Sequence, residues 1–179
     1  MRKVLIVVDM QNDFVNGSLG SPEAQAIVPN VVEKVKKWEG EILFTRDTHY
    51  EDYLKTLEGI MLPVEHCIKG TEGWQIIDSL WPHIEHSNQI IDKITFGFKN
   101  WERYINFAND DPYFDEDIEF ELCGVCTDIC VISNALVLRM IYPEAKITVD
   151  ASCCAGVTPE KHKAALEVMK SCQIEVINE

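Results

Sequence analysis

The chain predicts an α/β fold, with helices on both sides of a mostly parallel sheet. Three features point there. Residues 3–8 form an unbroken apolar run, as in a strand buried on both faces of a parallel sheet. Short strand-like runs then alternate with stretches of helical periodicity along the whole chain, the pattern of successive βα units. Finally, Ile118, Phe120 and Leu122 alternate with Glu119 and Glu121 until Gly124 breaks the pattern and a helical period begins.

The first strand stops at Asp9, followed by Met10-Gln11-Asn12-Asp13-Phe14. Ligands of open parallel sheets bind at the carboxyl ends of strands, so Asp9 is placed for chemistry. A carboxylate capping a turn is the plainer reading. Residues 17–22 read as loop, and Ile27, Val28, Val31, Val32, Val35 and Trp38 fit one face of a helix over 24–38. Residues 41–45 form a second strand. A short amphipathic helix is predicted over 74–81, stopped by Pro82, with His83 and His86 in a surface loop. Residues 89–94 read as a third strand carrying Lys93, 95–98 as apolar loop and 101–107 as a helical segment with Phe107 partly inward.

After Gly124, Thr127 or Asp128 is the N-cap candidate of a helix whose apolar face is Val131, Leu136, Val137, Met140 and Ile141. Residues 145–151 form another strand, which leaves Cys153 and Cys154 in a loop. Thr158 caps a helix with Pro159 at its first position, running to about Ser171, with His162 on its surface. Residues 173–177 close the chain as a short strand.

With 179 residues, 46% hydrophobic and 26% charged, the chain is sized for one globular domain over 1–179, without repeat or linker. The net charge is −14 and no Lys/Arg run occurs, which excludes nucleic acid and anionic membranes as partners. Asp110, Asp111, Asp115, Glu116 and Asp117 read as a solvated loop. The apolar stretch at 4–8 is too short for a membrane span. Seven cysteines, with no secretory segment recognised, read as free thiols in a reducing cytoplasm.

Two groupings could carry chemistry. Cys130 falls in the first turn of a helix that follows a strand, where unpaired N–H groups and the helix dipole stabilise a thiolate and lower the cysteine pKa. A small buried hydrophobe is the alternative. Asp47 and His49, two apart in extended chain, project to the same side, and His66 follows a loop containing Gly59 and Pro63. Two histidines and a carboxylate suit zinc, iron or manganese and leave positions open for water or substrate. Glu58, in preference to Glu65, is the fourth-ligand candidate. Lys93, at a strand end beside a cysteine and an aspartate, could stabilise a thiolate.

These residues, in this order, carry a resemblance. Asp9-Met10-Gln11-Asn12-Asp13-Phe14, Asp47-x-His49, His66-Cys67-Ile68-Lys69-Gly70-Thr71-x-Gly73, Lys93 and Gly124-Val125-Cys126-Thr127-Asp128-Ile129-Cys130-Val131 resemble the isochorismatase-like cysteine hydrolases, and within them the nicotinamidases. Cys126 stands where the family's block has alanine. The resemblance implies a Rossmann-like, six-stranded parallel sheet and a catalytic triad of Asp9, Lys93 and Cys130. It also implies a cis peptide between Val125 and Cys126, and an oxyanion hole formed by the N–H groups of Cys126 and Cys130. It implies a divalent metal, zinc before iron or manganese, on Asp47, His49, His66 and Glu58, and a small-molecule amide substrate hydrolysed through a thioester on Cys130. Monomers and oligomers both occur in such a family, so a homo-oligomer stays open.

The pocket departs from the nicotinamidase pattern in one place. Leu62 stands about where an aromatic residue precedes the metal histidine, leaving Phe14 and Leu19 as the other pocket candidates, with Phe96 or Phe98 as a further contributor. An amidase for another small carboxamide or carbamoyl amide is therefore the alternative within the family. True isochorismatase is disfavoured because its nucleophile position is not cysteine. Outside this chemistry stand a non-catalytic binding module on the same fold, a metal–sulfur protein using Cys123, Cys126 and Cys130, and a metal-water hydrolase.

Overall fold

The computed structural model describes residues 2–86, 89–106 and 118–179. The predictions for Phe107 and for the acidic loop from Asp110 to Asp117 fall outside them. Six strands make one sheet: β1 (Arg2–Val8), β2 (Glu41–Asp47), β3 (Ile90–Lys93), β4 (Ile118–Val125), β5 (Lys146–Ala155) and β6 (Glu175–Ile177). All pairings are parallel and the spatial order is β3-β2-β1-β4-β5-β6. The expected α/β architecture is present, and β1 is its middle: Val4 to Val8 are each at most 1% exposed. From β1 the chain winds outward through β2 and β3, then returns to place β4 on the other flank. That reversal opens a crevice at the carboxyl ends of β1 and β4.

The helices are α1 (Asn12–Val15), α2 (Pro22–Lys37), α3 (Leu57–Met61), α4 (Trp101–Asn106), α5 (Ile132–Ile141) and α6 (Pro159–Ser171). Helix α2 starts two residues earlier than its apolar period, because Ser21 Oγ accepts the Ala24 N–H at 3.0 Å and Pro22 suits the first position. Helix α6 has the predicted cap, Thr158 accepting from the Lys161 N–H.

Four local expectations are corrected. Residues 74–80 are turns around an isolated bridge at Ile76, not a helix. Gln75 O and Ile77 N are bonded to the segment after β1, at Asn12 N and Met10 O, and these tertiary bonds remove the groups a helix would use. A single 3₁₀ turn follows at Trp81–His83 and includes Pro82. Cys153 and Cys154 are not in a loop: β5 runs on to Ala155, pairing beside Gly124 and Val125 beyond an irregularity in β4.

The third correction concerns the helix that carries Cys130. Its N-cap is Cys126, and the first turn, Thr127–Val131, is π-helical before regular α5 begins. The wider turn rotates the helix by about one residue, roughly 100°. Asn134, Ala135 and Leu138 therefore face the core, while Leu136 and Met140 are exposed. Fourth, His162 is half-buried rather than on the surface, its Nδ1 2.7 Å from Thr127 Oγ1.

Candidate active site

Four strand ends converge. Asp9 follows β1, Asp47 ends β2, Lys93 ends β3, and β4 runs through Gly124 into the turn bearing Cys126 and Cys130. Gly124 is required where it stands. Its φ is +117°, and a Cβ there would lie 2.1 Å from the Val8 carbonyl oxygen, so only glycine lets β4 approach β1 this closely. The peptide between Val125 and Cys126 is cis. The Cys126 carbonyl accepts from the N–H groups of Ile129 and Val131, both at 3.0 Å, which closes the turn around Cys130.

Asp9, Lys93 and Cys130 come together, all buried. Lys93 Nζ lies 2.6 Å from Asp9 Oδ2 and 3.7 Å from Cys130 Sγ. Asp9 Oδ1 also accepts from Thr45 Oγ1 at 2.7 Å. Burial raises the Asp9 carboxyl, opposed by the Lys93 ammonium. Burial alone would lower Lys93, but the carboxylates of Asp9 and Asp47 outweigh it and hold the lysine protonated. The thiol departs from the sequence expectation. Burial first, then the Asp9 carboxylate, pushes Cys130 well above the ordinary cysteine range. Cys130 therefore lies as a thiol beside the Asp9 carboxylate. Cys126 is half-buried, its thiol pushed up to about 12 by burial and by Asp128.

Asp47, His49, Glu58 and His66 form a second cluster whose ligand atoms all lie within 4.8 Å of one another. Asp47 Oδ2 is 3.0 Å from His49 Nε2 and 3.8 Å from His66 Nε2. Glu58 Oε1 is 3.6 Å and 3.9 Å from the same two nitrogens. Glu65 is exposed and outside the cluster. His66 Nδ1 lies 2.8 Å from the Val64 carbonyl, and as a donor there it leaves Nε2 free of its proton. Two imidazoles and two carboxylates so arranged can hold a divalent ion. The clusters touch: Lys93 Nζ is 3.6 Å from Asp47 Oδ1.

The pocket candidates separate. The Phe14 ring lies 5.5 Å from that of His66. Leu19 is half-buried, its N–H bonded to the Asp13 carbonyl, and Leu62 is exposed at the end of α3. Sequence reasoning missed the aromatic that does meet the histidines. Tyr53 is fully buried, 4.6 Å from the His49 ring and 5.0 Å from that of His66, with its hydroxyl donating to the Leu62 carbonyl at 2.9 Å. Gln11 was passed over as well. Its Oε1 accepts from the Asp47 N–H at 2.7 Å and its Nε2 donates to the Asp47 carbonyl at 2.9 Å, gripping the ligand-bearing strand end by both backbone groups. Asp13 Oδ2 accepts from the Cys67 N–H, beside His66, at 2.7 Å. Both lie in the motif after β1, the one signal that could have found them.

The chain is similar to the nicotinamidase of Saccharomyces cerevisiae, with 26% identity over 218 aligned residues covering 98% of this chain and 99% of that protein. Its fold superposes on the nicotinamidase/pyrazinamidase PncA from Bacillus subtilis with a TM-score of 0.83, at 27% identity, covering 99% of this chain and 100% of that one. It superposes on the pyrazinamidase of Pyrococcus horikoshii in complex with zinc with a TM-score of 0.78, at 26% identity and over 100% of both chains. The family model for the isochorismatase domain matches residues 3–179, the span that carries every strand end described above. This chain is a member of the isochorismatase family.

Proposed function

We propose that this protein is a metal-dependent cysteine amidohydrolase that converts nicotinamide and water to nicotinate and ammonia, the whole of 1–179 acting as one hydrolase domain. The observation that carries the reading is the contact of the two clusters. Asp9, Lys93 and Cys130 lie within hydrogen-bonding or ion-pair reach, and Lys93 also touches Asp47 of the ligand set. The nicotinamidase and pyrazinamidase relatives support the substrate class.

Asp9 takes the Cys130 proton as sulfur attacks the amide carbon, and Lys93 stabilises the charge forming on sulfur. The backbone N–H groups of Cys126 and Cys130 serve as the oxyanion hole. Asp9 returns the proton to the amide nitrogen, the C–N bond breaks, and ammonia leaves a thioester on Cys130. Asp9 then accepts a proton from water as its oxygen attacks the thioester, and the thiolate is expelled and reprotonated as the acid departs. A carboxyl that must be protonated and ionised in turn is served by the upward shift that burial gives Asp9. When bound on Asp47, His49, His66 and Glu58, a divalent ion, zinc by preference, supplies a Lewis-acid anchor for a ring nitrogen. Phe14 flanks the space beside it, with Leu19 and Leu62 further out. The free cysteines support a reducing, cytoplasmic setting. No helix among the described residues is long and apolar enough to cross a membrane.

The test is ammonia release from nicotinamide and a panel of small carboxamides and carbamoyl amides, before and after chelation. Nicotinamide turnover lost on chelation and restored by zinc, iron or manganese is the expected result. Turnover of a different amide alone would keep the Asp9–Lys93–Cys130 chemistry and move the substrate to a sister amidase. Silence on all amides, with Cys130 inert to alkylation, would favour a binding module.

A further inference from the structure

We propose that Asn134 is a positioning residue that sets the separation of Lys93 and Cys130 by fastening the segment after β3 to the helix that carries the cysteine. The inference rests on the assignment of those two residues to the reaction. Lys93 ends the edge strand β3, whereas Cys130 follows β4, and β2 and β1 stand between them. Beyond strand pairing, a direct contact between the segment after β3 and the helix after β4 joins the two ends across that gap.

Asn134 is completely buried, four residues beyond Cys130 on its helix. Its Nδ2 donates to the Cys130 carbonyl at 2.8 Å and to the Phe96 carbonyl at 3.2 Å. Its Oδ1 accepts from the Phe98 N–H at 2.9 Å and from the Trp101 indole N–H at 3.0 Å. Both donors and both lone pairs of the amide are thus used, divided between the turn bearing the nucleophile and the segment that begins one residue after Lys93. A second feature holds the same contact. A Cβ on Gly97 would lie 3.0 Å from the Ser133 carbonyl oxygen, so this segment rests directly on the α5 backbone. Thr95 Oγ1 donates to the Gly97 carbonyl at 2.7 Å and closes the segment on itself. An asparagine on the buried face of a helix is expensive unless every polar atom is matched. Here the matching joins the backbone of Cys130 to the segment that follows Lys93.

The experiment compares Asn134→Ala, Asn134→Asp and Gly97→Ala with wild type, each loaded with metal and checked for folding by circular dichroism. Nicotinamide kcat and KM are measured, together with the iodoacetamide alkylation rate of Cys130 by peptide mapping. Asn134→Ala is expected to lower kcat per folded molecule by about 10–100-fold, with KM within about threefold and a matching fall in alkylation. Asn134→Asp keeps the acceptor for Phe98 and Trp101 but loses both donors, and is expected to fall comparably. Gly97→Ala, which lifts the segment by a few tenths of an ångström, is expected to show a smaller loss of both. Melting temperatures that fall while kcat and alkylation per folded molecule stay at wild-type values would overturn the proposal. If wild type releases no ammonia from any amide, the functional reading fails, and the alkylation comparison alone still decides the role of Asn134.

Discussion

Among the described residues, two lysines whose side chains are at most 16% exposed lie between pairs of carboxylates, and their surroundings differ. Lys93 sits between Asp9 and Asp47 at the strand ends. Lys34, on α2, meets Glu121 of β4 and Asp150 of β5, the latter at 2.8 Å. What differs is the hydrogen bonding of the carboxylates. Asp150 receives the Ser152 N–H and hydroxyl on Oδ1, and the Asn178 amide on Oδ2 in addition to Lys34. Burial would raise it, but these donors outweigh burial and hold it below the usual carboxylate range. Asp9 has Thr45 and Lys93, lies completely buried, and is raised. The same triplet of charges therefore holds its carboxylate ionised where donors abound and raises it where they are few, as the proposed role of Asp9 requires.

The sharpest way to break this comparison is a matched pair of substitutions. Asp9→Asn is expected to lower kcat by about 10²–10⁴-fold, as loss of a general acid–base does, with the fold retained by circular dichroism. Asp150→Asn is expected to leave kcat within about twofold and to lower the melting temperature by about 2–4 °C for each 1 kcal/mol lost. Equal kcat losses in both would show that the clusters do not differ in kind.

Next in size is the metal. His66→Ala is expected to weaken zinc binding by at least about a hundredfold in calorimetry, and Glu58→Gln by about tenfold, since Glu58 is partly exposed at the rim of the set. Unchanged affinity in the histidine variant would remove the ligand assignment.

Lys34→Met leaves Glu121 and Asp150 facing one another. The expected cost lies between the ~1 kcal/mol of an exposed pair and the ~3–5 kcal/mol of a fully buried one, read from denaturant midpoints at neutral pH. The smallest effect is in acid. Because the folded-state pKa of Asp150 is depressed, its contribution is present above the unfolded value of about 3.9 and is lost as pH falls through the lower folded value. Acid unfolding of wild type below about pH 4 should accordingly be steeper than that of Asp150→Asn. Parallel curves would show that Asp150 is not held ionised by the fold.

The fold was legible where burial and period agree. The apolar run of β1 and the Thr158-Pro159 start of α6 each carry a local physical signature, and both elements form as expected. Legibility ended where tertiary bonds override local pattern. The stretch Trp74–Trp81 has a helical period, yet its backbone is bonded to residues after β1. The turn at Thr127–Val131 is π-helical, and nothing in a 3.6-residue period reveals the rotation that exposes Met140. In the site, Asp47, His49 and His66 were grouped from spacing and residue type, and these residues do meet. The thiol differs from the expectation because its position in a helix's first turn is local, whereas its burial and the Asp9 charge that raise it arise from the fold around it. Tyr53 and Asn134 carry no local signature at all. Tyr53 owes its place to ring contacts with His49 and His66 and to the Leu62 carbonyl, and Asn134 to partners from Phe96 to Trp101, far along the chain.

The most direct measurement is an acid quench during nicotinamide turnover, followed by peptide mapping of the trapped protein. The expected result is a nicotinoyl group on Cys130 alone, absent in Asp9→Asn, together with a Cys130→Ala variant slower by at least about a thousandfold. Turnover with no acyl group on Cys130, and activity near wild type in the alanine variant, would contradict nucleophilic catalysis by this cysteine.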